Sequence, residues 1–414
     1  MSDEGRSRVP AAEPRRDSVA IGGAPLYSPY DYAVHEDPYP VYARLREEAP
    51  LYRNEELDFW ALSRHEDVGS AFRNGSTYSS GYGVSLEPTV WGPGAHRSMS
   101  FLAMDPPRHT RMRALVSRGF TPRRVAALEP RIREITRLHL EPALEGGEFD
   151  WITAVASRVP MDVISELMGV PEADRRELRR LADVLMHRDD GLQEIPPEGV
   201  AASLELVGYY ADMLALRRAR RTDDLTSALL DAEIDGERMS DEEIIAFLFL
   251  MVVAGNETTT KLLGNALYWA FLNPVEGAKA LGGAVEPWVE ETLRYDTSSQ
   301  MLARRVAEEV EVRGTRLPVG ARVLLLVGSA NRDERVFPAA DRYDLDRDTG
   351  EMISFGRGGH FCLGASLARM EGRVVLGELT RRITGYEIDL AGAERTHAAN
   401  VRGFARLPMS VTRR

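Results

Sequence analysis

One glycine-rich segment constrains this chain more than any other part of its sequence. Residues 355–364 read FGRGGHFCLG, with four glycines in ten residues and the chain's single cysteine, Cys362. Such a density of glycine predicts a backbone that turns sharply and passes close to another group, because glycine adopts φ values that other residues resist. Apolar residues then recur at helical spacing and predict a helix directly after the loop. They are Leu363, Leu367, Met370 and Val374.

The position of Cys362 predicts a thiolate. Unpaired backbone N–H groups and the macrodipole at a helix start stabilise negative charge, and such a place lowers the pKa of a thiol. A lone cysteine is most often a small buried apolar residue, but that role does not require the surrounding glycines. A protease-type nucleophile would need a base and an orienting residue beside Cys362. Glycines flanked by aromatic residues suit a flat cofactor better.

Composition and charge narrow the class of protein. The chain has 414 residues, of which 43% are hydrophobic, and its net charge of −12 argues against general nucleic-acid binding. Residues 1–20 are expected to be a disordered leader rather than a secretory signal, and residues 21–414 one domain. The longest apolar stretch, residues 244–254, is about half as long as a membrane-spanning helix. We therefore expect a cytoplasmic protein without membrane insertion.

The order of sequence patterns predicts a mainly α-helical fold with small β-sheets. Helical periodicity dominates residues 107–381, and strands are expected near residues 51–54, 59–63 and 310–327. There is no βαβ alternation, so no dinucleotide-binding fold is expected. Residues 75–100 form a long loop, and residues 189–199 are expected to be a mobile connection over a pocket.

A capping box at Ser240 opens a long apolar helix whose middle reads AGNETT, residues 254–259. Ala254 and Thr258 share one face of that helix. Gly255 costs about 1 kcal/mol relative to alanine but would let a flat group or a small molecule approach. An acid beside a hydroxyl, as in Glu257-Thr258, can relay protons. The alternative is an apolar core helix with two polar residues at its end.

Together, the cysteine loop and the AGNETT segment resemble the haem-binding loop and the oxygen-binding helix of the cytochromes P450. The resemblance covers residues 39–408, with five motifs in the family's order. It implies the cytochrome P450 fold, a single helix-rich domain with a β-rich lobe, and a haem b cofactor (iron protoporphyrin IX). Cys362 would be the metal ligand. Phe355, Gly356 and Gly364 would shape the loop around the cofactor.

Other motifs gain a role from the same resemblance. Haem propionates need cationic or donor partners once buried. His109 and Arg113 match the family's H-x-x-x-R clamp, with Arg304 and His360 as its further members. Glu291 and Arg294 match a structural E-x-x-R pair, which the family completes with a later arginine, here taken as Arg342.

The implied reaction inserts one oxygen atom of O₂ into a lipophilic small molecule by hydroxylation or epoxidation. Ala254 and Gly255 would leave room for O₂, while Thr258 and Glu257 would deliver protons. Electrons would come from a ferredoxin and a ferredoxin reductase, which would dock at the arginine-rich residues 108–124. The alternatives are a peroxide-driven peroxygenase and a non-catalytic haem-binding auxiliary protein; the presence of Glu257, Thr258 and Cys362 argues against both.

The resemblance also implies a mostly apolar substrate pocket with Gln300 and Asn400 as orienting polar groups. A bulky polyketide, terpenoid or steroid-like molecule is expected, in natural-product biosynthesis. The pocket residues inferred from the family are Trp91, Leu250, Val253, Gln300, Leu302, Asn400 and Val401.

Overall fold

The computed structural model describes residues 26–117, 119–234 and 236–414, and the leader expected at residues 1–20 lies outside them. The helices are α1 (Tyr32–Glu36), α2 (Tyr39–Glu48), α3 (His65–Arg73), α4 (His96–Met99), α5 (Arg108–Ser117), α6 (Pro122–Ala127), α7 (Glu129–Gly146), α8 (Arg158–Met168), α9 (Glu172–Met186), α10 (Pro197–Ala219), α11 (Leu225–Asp231), α12 (Asp241–Leu272), α13 (Pro274–Leu281), α14 (Val285–Tyr295), α15 (Val327–Ala330) and α16 (Ala365–Thr380). Short turns of other helix types occupy Ser100–Ala103, Ile152–Ala156 and Gly358–His360.

The strands gather in small sheets. They are β1 (Leu51–Asn54), β2 (Phe59–Leu62), β3 (Tyr78–Ser79), β4 (Glu148–Asp150), β5 (Glu233–Ile234), β6 (Glu237–Arg238), β7 (Met301–Val306), β8 (Val310–Val312), β9 (Thr315–Leu317), β10 (Arg322–Leu326), β11 (Ile383–Ile388), β12 (Glu394–Arg395), β13 (Phe404–Arg406) and β14 (Pro408–Arg413). The largest sheet has the order β1-β2-β10-β7-β3, with β2 and β10 parallel and the other neighbours antiparallel. The predicted mainly α-helical class with small sheets is confirmed.

Helix α12 runs through the helical part and contacts α8, α9, α10, α14 and α16. Its predicted start is present: the Ser240 hydroxyl accepts from the Glu243 N–H at 3.2 Å, and the Glu243 carboxylate accepts from the Ser240 N–H at 3.1 Å. Among the described residues, α12 alone has the length and apolar character of a membrane-spanning helix. Its apolar window is 67% buried inside the protein, as in a core helix.

Two boundaries differ from the sequence prediction. Helix α10 begins at Pro197, so the connection from α9 covers residues 187–196 rather than 189–199. Proline at the first position suits a helix start, because its fixed φ is already helical and the missing N–H would be unpaired there. Helix α16 begins at Ala365, with Gly364 as its N-cap residue, two residues later than the apolar periodicity indicates.

A buried ion pair in α14 fixes the segment that leads to the cysteine loop. Arg294 donates to both carboxylate oxygens of Glu291, at 2.6 and 2.8 Å, and both side chains are buried. The third arginine is Arg347, whose Nε lies 3.4 Å from Glu291 Oε1. The assignment of Arg342 was wrong: this residue is exposed and offers only its carbonyl oxygen to Arg294. The pattern around Arg342 matched, but the chain bends so that a later guanidinium reaches the carboxylate.

This geometry predicts unequal effects of two alanine substitutions. Arg347→Ala should lower the free energy of unfolding by about 2 kcal/mol, because it removes a charge-assisted hydrogen bond to a buried carboxylate. Arg342→Ala, the matched control, should change it by less than about 0.5 kcal/mol. Urea unfolding followed by circular dichroism measures both. Equal losses would contradict the assignment of Arg347.

Candidate functional site

The cysteine loop packs tightly on α3, and glycine makes this possible. Gly358 has φ of 71°, and a Cβ atom built there would lie 2.8 Å from the carbonyl oxygen of Phe72. Gly356 also has a positive φ, of 68°. Any larger residue at position 358 would both strain the backbone and push the loop away from α3. The loop prediction therefore has a specific steric cause.

Cys362 lies at the end of this loop, with its side chain accessible. Its N–H donates to the carbonyl of Phe355 at 2.9 Å, which closes the loop into a ring. The N–H groups of Gly364 and Ala365 face the sulfur, and the guanidinium groups of Arg113 and Arg369 lie near it. Arg369, which the sequence analysis did not single out, also stacks on the ring of Phe355 with its Cζ at 4.5 Å from the centroid.

The predicted lowering of the Cys362 pKa is wrong for the protein as it stands. The sulfur sits deep among protein atoms although its surface faces an open space, and this desolvation raises the pKa of the thiol above its usual range. The N–H groups and the two arginines act in the opposite direction but do not outweigh it. The helix start is thus arranged to receive a thiolate that forms when a cation binds the sulfur.

Four cationic or donor side chains converge beside Cys362. The rings of His109 and His360 are stacked with centroids 4.0 Å apart. Arg113 donates from Nη2 to the carbonyl of Phe361 at 2.5 Å. Arg304 reaches the same place from β7, fully surrounded by protein, and acts electrostatically on both histidines. The structure therefore brings together the four residues that the sequence analysis assigned to one clamp.

The electrostatics of this cluster fit an anionic partner. Burial, reinforced for the histidines by the neighbouring cations, lowers the pKa of all four groups, that of Arg304 to about 10 and that of His360 to about 3. Within the described residues, no hydrogen-bond partner faces Nε2 of His109, Nη1 of Arg113 or Nδ1 of His360. Buried donors are normally paired. A group carrying two carboxylates, as haem does, satisfies both the charge and the donors.

One face of α12 is open beside this region. Ala254 is exposed, and the Thr258 hydroxyl donates to the Ala254 carbonyl at 2.7 Å. Glu257 is buried on the neighbouring face and pairs with Lys261 Nζ at 3.2 Å. Lys261 was missed, although its i,i+4 spacing from Glu257 is a readable signal.

The role expected for Gly255 is wrong. A Cβ atom built there would lie 3.3 Å from Cγ1 of Ile164 in α8, so this glycine permits close packing of two helices. It does not make room for O₂ on the open face of α12.

The predicted apolar pocket residues lie in four different apolar clusters. Val253 packs against a small apolar cluster of Met186, Ala398 and Val401, where α9 and the C-terminal segment meet α12. Leu250 is buried in the main core. Trp91 and Leu302 are half-buried and pack against two other apolar clusters, in the β-rich part.

The Gln300 side-chain amide donates to the Thr297 carbonyl at 2.7 Å. Its side chain lines a small cavity of about 20 Å³ together with Ala398 and Val401 of the same apolar cluster. The Asn400 carbonyl accepts from the N–H of Gln300, and Asn400 lines another small cavity, of about 10 Å³.

The arginine-rich segment is partly neutralised. Arg108 pairs with Glu243 at 3.2 Å, and Arg111 pairs with Glu237. Arg113 belongs to the cationic cluster, and Arg118 lies outside the described residues. Arg123 and Arg124 are exposed on α6. The segment is therefore a weaker docking patch than its count of arginines suggests.

Comparison with known proteins agrees with this geometry. The model of the family described as Cytochrome P450 matches residues 285–386. Cytochrome P450 123 of Mycobacterium tuberculosis is 57% identical over 401 residues, which is 96% of this chain and 100% of that protein. Vitamin D(3) 25-hydroxylase of Pseudonocardia autotrophica is 37% identical, over 91% of this chain and 94% of that protein. A Bacillus megaterium cytochrome P450 in complex with testosterone superposes with a TM-score of 0.84 at 30% identity, over 90% of this chain and 97% of its own.

The raised pKa of Cys362 predicts how the haem-free protein reacts with iodoacetamide. Alkylation should be slow at pH 7 and should accelerate about tenfold for each pH unit, because only the thiolate reacts. Arg113→Ala and Arg369→Ala should slow it further by removing cations that favour the thiolate. Arg123→Ala, an exposed arginine outside the site, is the control. The label reports Cys362 alone, since the chain has one cysteine. A rate that does not change between pH 7 and pH 9 would contradict the raised pKa.

Proposed function

This chain belongs to the cytochrome P450 family, and we propose that it is a ferredoxin-dependent monooxygenase that oxidises a bulky lipophilic molecule at haem b. One observation carries the proposal. An accessible cysteine, surrounded by N–H groups and arginines, lies next to four converging donor side chains. Three of them, His109, Arg113 and His360, each keep a buried nitrogen without a hydrogen-bond partner among the described residues. A single cysteine excludes a four-cysteine iron–sulfur cluster within the chain. The electrons are therefore assigned to an external ferredoxin and its reductase.

Each part of the site has a defined task in this proposal. Cys362 would ligate the haem iron, and His109, Arg113, Arg304 and His360 would hold the propionates. When bound, the haem supplies O₂ activation and the oxidation of the substrate. The N–H groups of Gly364 and Ala365 hold the negative charge of the sulfur.

The polar residues of α12 would handle protons. Thr258 lies on the open face and can present its hydroxyl hydrogen or its oxygen lone pairs there by rotating away from the Ala254 carbonyl. Glu257, one residue earlier, is the titrating group. Because it is buried and held by Lys261, it can exchange protons only with groups in direct contact.

A steroid-sized, largely apolar substrate is supported by the cluster of Val253, Val401, Met186 and Ala398 above α12. One relative is named for its action on vitamin D(3), and one structural neighbour binds testosterone. Both molecules are largely apolar with few polar groups, which suits a pocket lined by this apolar cluster. We place the reaction in natural-product metabolism.

The role of Thr258 is tested by Thr258→Ala in the presence of a surrogate ferredoxin and reductase, with testosterone and vitamin D(3) as probe substrates. We expect at least a tenfold lower ratio of product to NAD(P)H oxidised, with more H₂O₂, because the ordered proton donor is lost. Thr260→Ala is the matched control, since that hydroxyl lies on the same helix but bonds the buried carbonyl of Ala156. Coupling equal to that of the wild type would remove Thr258 from the mechanism. Full turnover with H₂O₂ alone would favour a peroxygenase instead.

A buried ion pair and hydrogen bonds hold the connection at residues 187–196 against the rest of the protein. Arg188 donates from Nε and Nη2 to Glu87 Oε1, at 3.2 and 3.1 Å, and both side chains are buried. Gln193 donates to the Leu86 carbonyl at 2.9 Å, and the Gly191 N–H to the Tyr30 carbonyl at 2.9 Å. These contacts join residues 187–196 to Leu86 and Glu87 and, through Gly191, to Tyr30.

Removing the ion pair between Arg188 and Glu87 should make residues 187–196 more mobile. Glu87→Gln removes the charge that holds a buried guanidinium, so amide hydrogen exchange in residues 187–196 should accelerate at least tenfold. Glu194→Gln, an exposed carboxylate in the same segment, is the control and should leave exchange unchanged. Equal exchange in the wild type and in Glu87→Gln would show that the ion pair does not hold this connection.

A further inference from the structure

A cleft of about 580 Å³ opens beside α12 and reaches the buried acid Glu257. Its walls come from α9, from the turn Ile152–Ala156 and from the segment around β12. Asp183 of α9 lines the cleft with an accessible side chain, whereas Glu257 is only 2% exposed. The two carboxyl groups are hydrogen-bonded to each other. One acid therefore faces water and the other faces the interior of α12.

The surroundings of the two acids make them unequal. Glu257 accepts from Lys261 Nζ at 3.2 Å and from Asn256 Nδ2 at 3.3 Å, and Lys261 also donates to the Phe404 carbonyl. Although burial opposes it, these contacts hold the pKa of Glu257 below its usual range. Enclosure by the cleft walls and the nearby Glu257 carboxylate raise the pKa of Asp183 to about 8. At neutral pH, Asp183 thus carries the proton and donates it in the shared hydrogen bond.

Other charged groups also line the cleft, and among the described residues none of them except Lys261 hydrogen-bonds to Glu257 from the cleft side. Arg179 and Lys261 favour the ionised form of Asp183 and so act to lower its pKa. The remaining charged and titratable groups in its lining are His187, Glu36, Glu394, Arg395 and His397. Glu394 pairs with Arg406 at 3.4 Å, and His397 lies 3.5 Å from Glu36. Of the carboxylates in the lining, Asp183 is the one that hydrogen-bonds Glu257.

We propose that Asp183 is a positioning residue that takes a proton from water in the cleft and presents it to Glu257. The inference rests on the proposed function, in which Glu257 and Thr258 pass protons to the open face of α12. In each transfer the O–H bond of Asp183 breaks as an O–H bond forms on Glu257. Asp183 then regains a proton from solvent, and the pair returns to its starting charge once Glu257 has passed its proton on. Lys261 keeps Glu257 ionised, and so ready to accept.

The shared proton can be observed without turnover. Infrared spectra of the haem-loaded enzyme between pH 6 and pH 9.5 should show protonated-carboxyl absorption that titrates near pH 8, with one contribution from Asp183 and another from the buried Glu371. The contribution of Asp183 is isolated by recording the spectra in a Glu371→Gln background. In that background, Asp183→Asn should lack the band, and Glu394→Gln, which removes a carboxylate from the same cleft, should keep it. Asp183→Glu should keep a titrating band with a shifted midpoint, and it serves as the second variant if the asparagine protein does not fold. An unchanged band in Asp183→Asn would overturn the proposal.

The pH profile of coupling tests the role itself. With testosterone as the probe substrate, product formed per NAD(P)H by the wild type should fall as pH rises through about 8, where Asp183 loses its proton. In Asp183→Asn it should be about tenfold lower at pH 7 and independent of pH, with partial rescue in Asp183→Glu. If the pH profile of coupling in Asp183→Asn matched that of the wild type, the inference would be wrong. The red-shifted absorption of the reduced CO complex should persist in every variant; its absence from the wild type would instead refute the proposed function.

Discussion

Concentrated positive charge beside Cys362 is the constraint on which the site depends. His109 and Arg113 come from α5, Arg304 from β7 and His360 from the cysteine loop, so three separate elements bring two guanidinium groups and two imidazole rings together. Among the described residues, Asp105 is the one carboxylate that acts on Arg304 and His109, and it does not offset the cost of burying these groups, which the lowered pKa values of all four express. A cofactor with two carboxylates converts that cost into binding free energy. Stability and cofactor affinity are therefore linked, because a ligand that binds only the folded chain stabilises it.

The second organising feature is the polar middle of an otherwise apolar helix. Helix α12 buries Asn256, Glu257, Thr259 and Lys261 among aliphatic residues. Polar groups in such a place are costly unless paired, and Lys261 compensates Glu257 directly. Ala254 and Thr258 stay on the open face, so one turn of helix presents a hydroxyl to the site and an acid to the cleft. The two sides of α12 differ in chemistry although they share one backbone.

Sequence reasoning succeeded where the signal was local and failed where it depended on the path of the chain. The capping box at Ser240 and the glycine loop are short patterns with a direct steric or hydrogen-bond cause, and the structure shows both. The third member of the Glu291–Arg294 cluster was predicted to be Arg342, but it is Arg347, five residues later. The bend between these two arginines has no signal in the sequence. Gly255 was misread because its neighbour, Ile164, comes from a distant helix. The pKa of Cys362 depends on how deeply the loop is enclosed, which periodicity does not reveal.

The raised pKa of Cys362 has a consequence for the chain before its cofactor arrives. Oxidation to sulfenic acid and beyond proceeds through the thiolate, so a sulfur that stays protonated at neutral pH is a poor target for peroxide. A newly folded chain therefore keeps its single thiol in the less reactive, protonated form. A cysteine that was permanently ionised in the same accessible place would be open to oxidation before iron bound. The protonated thiol of Cys362 is protected during that interval.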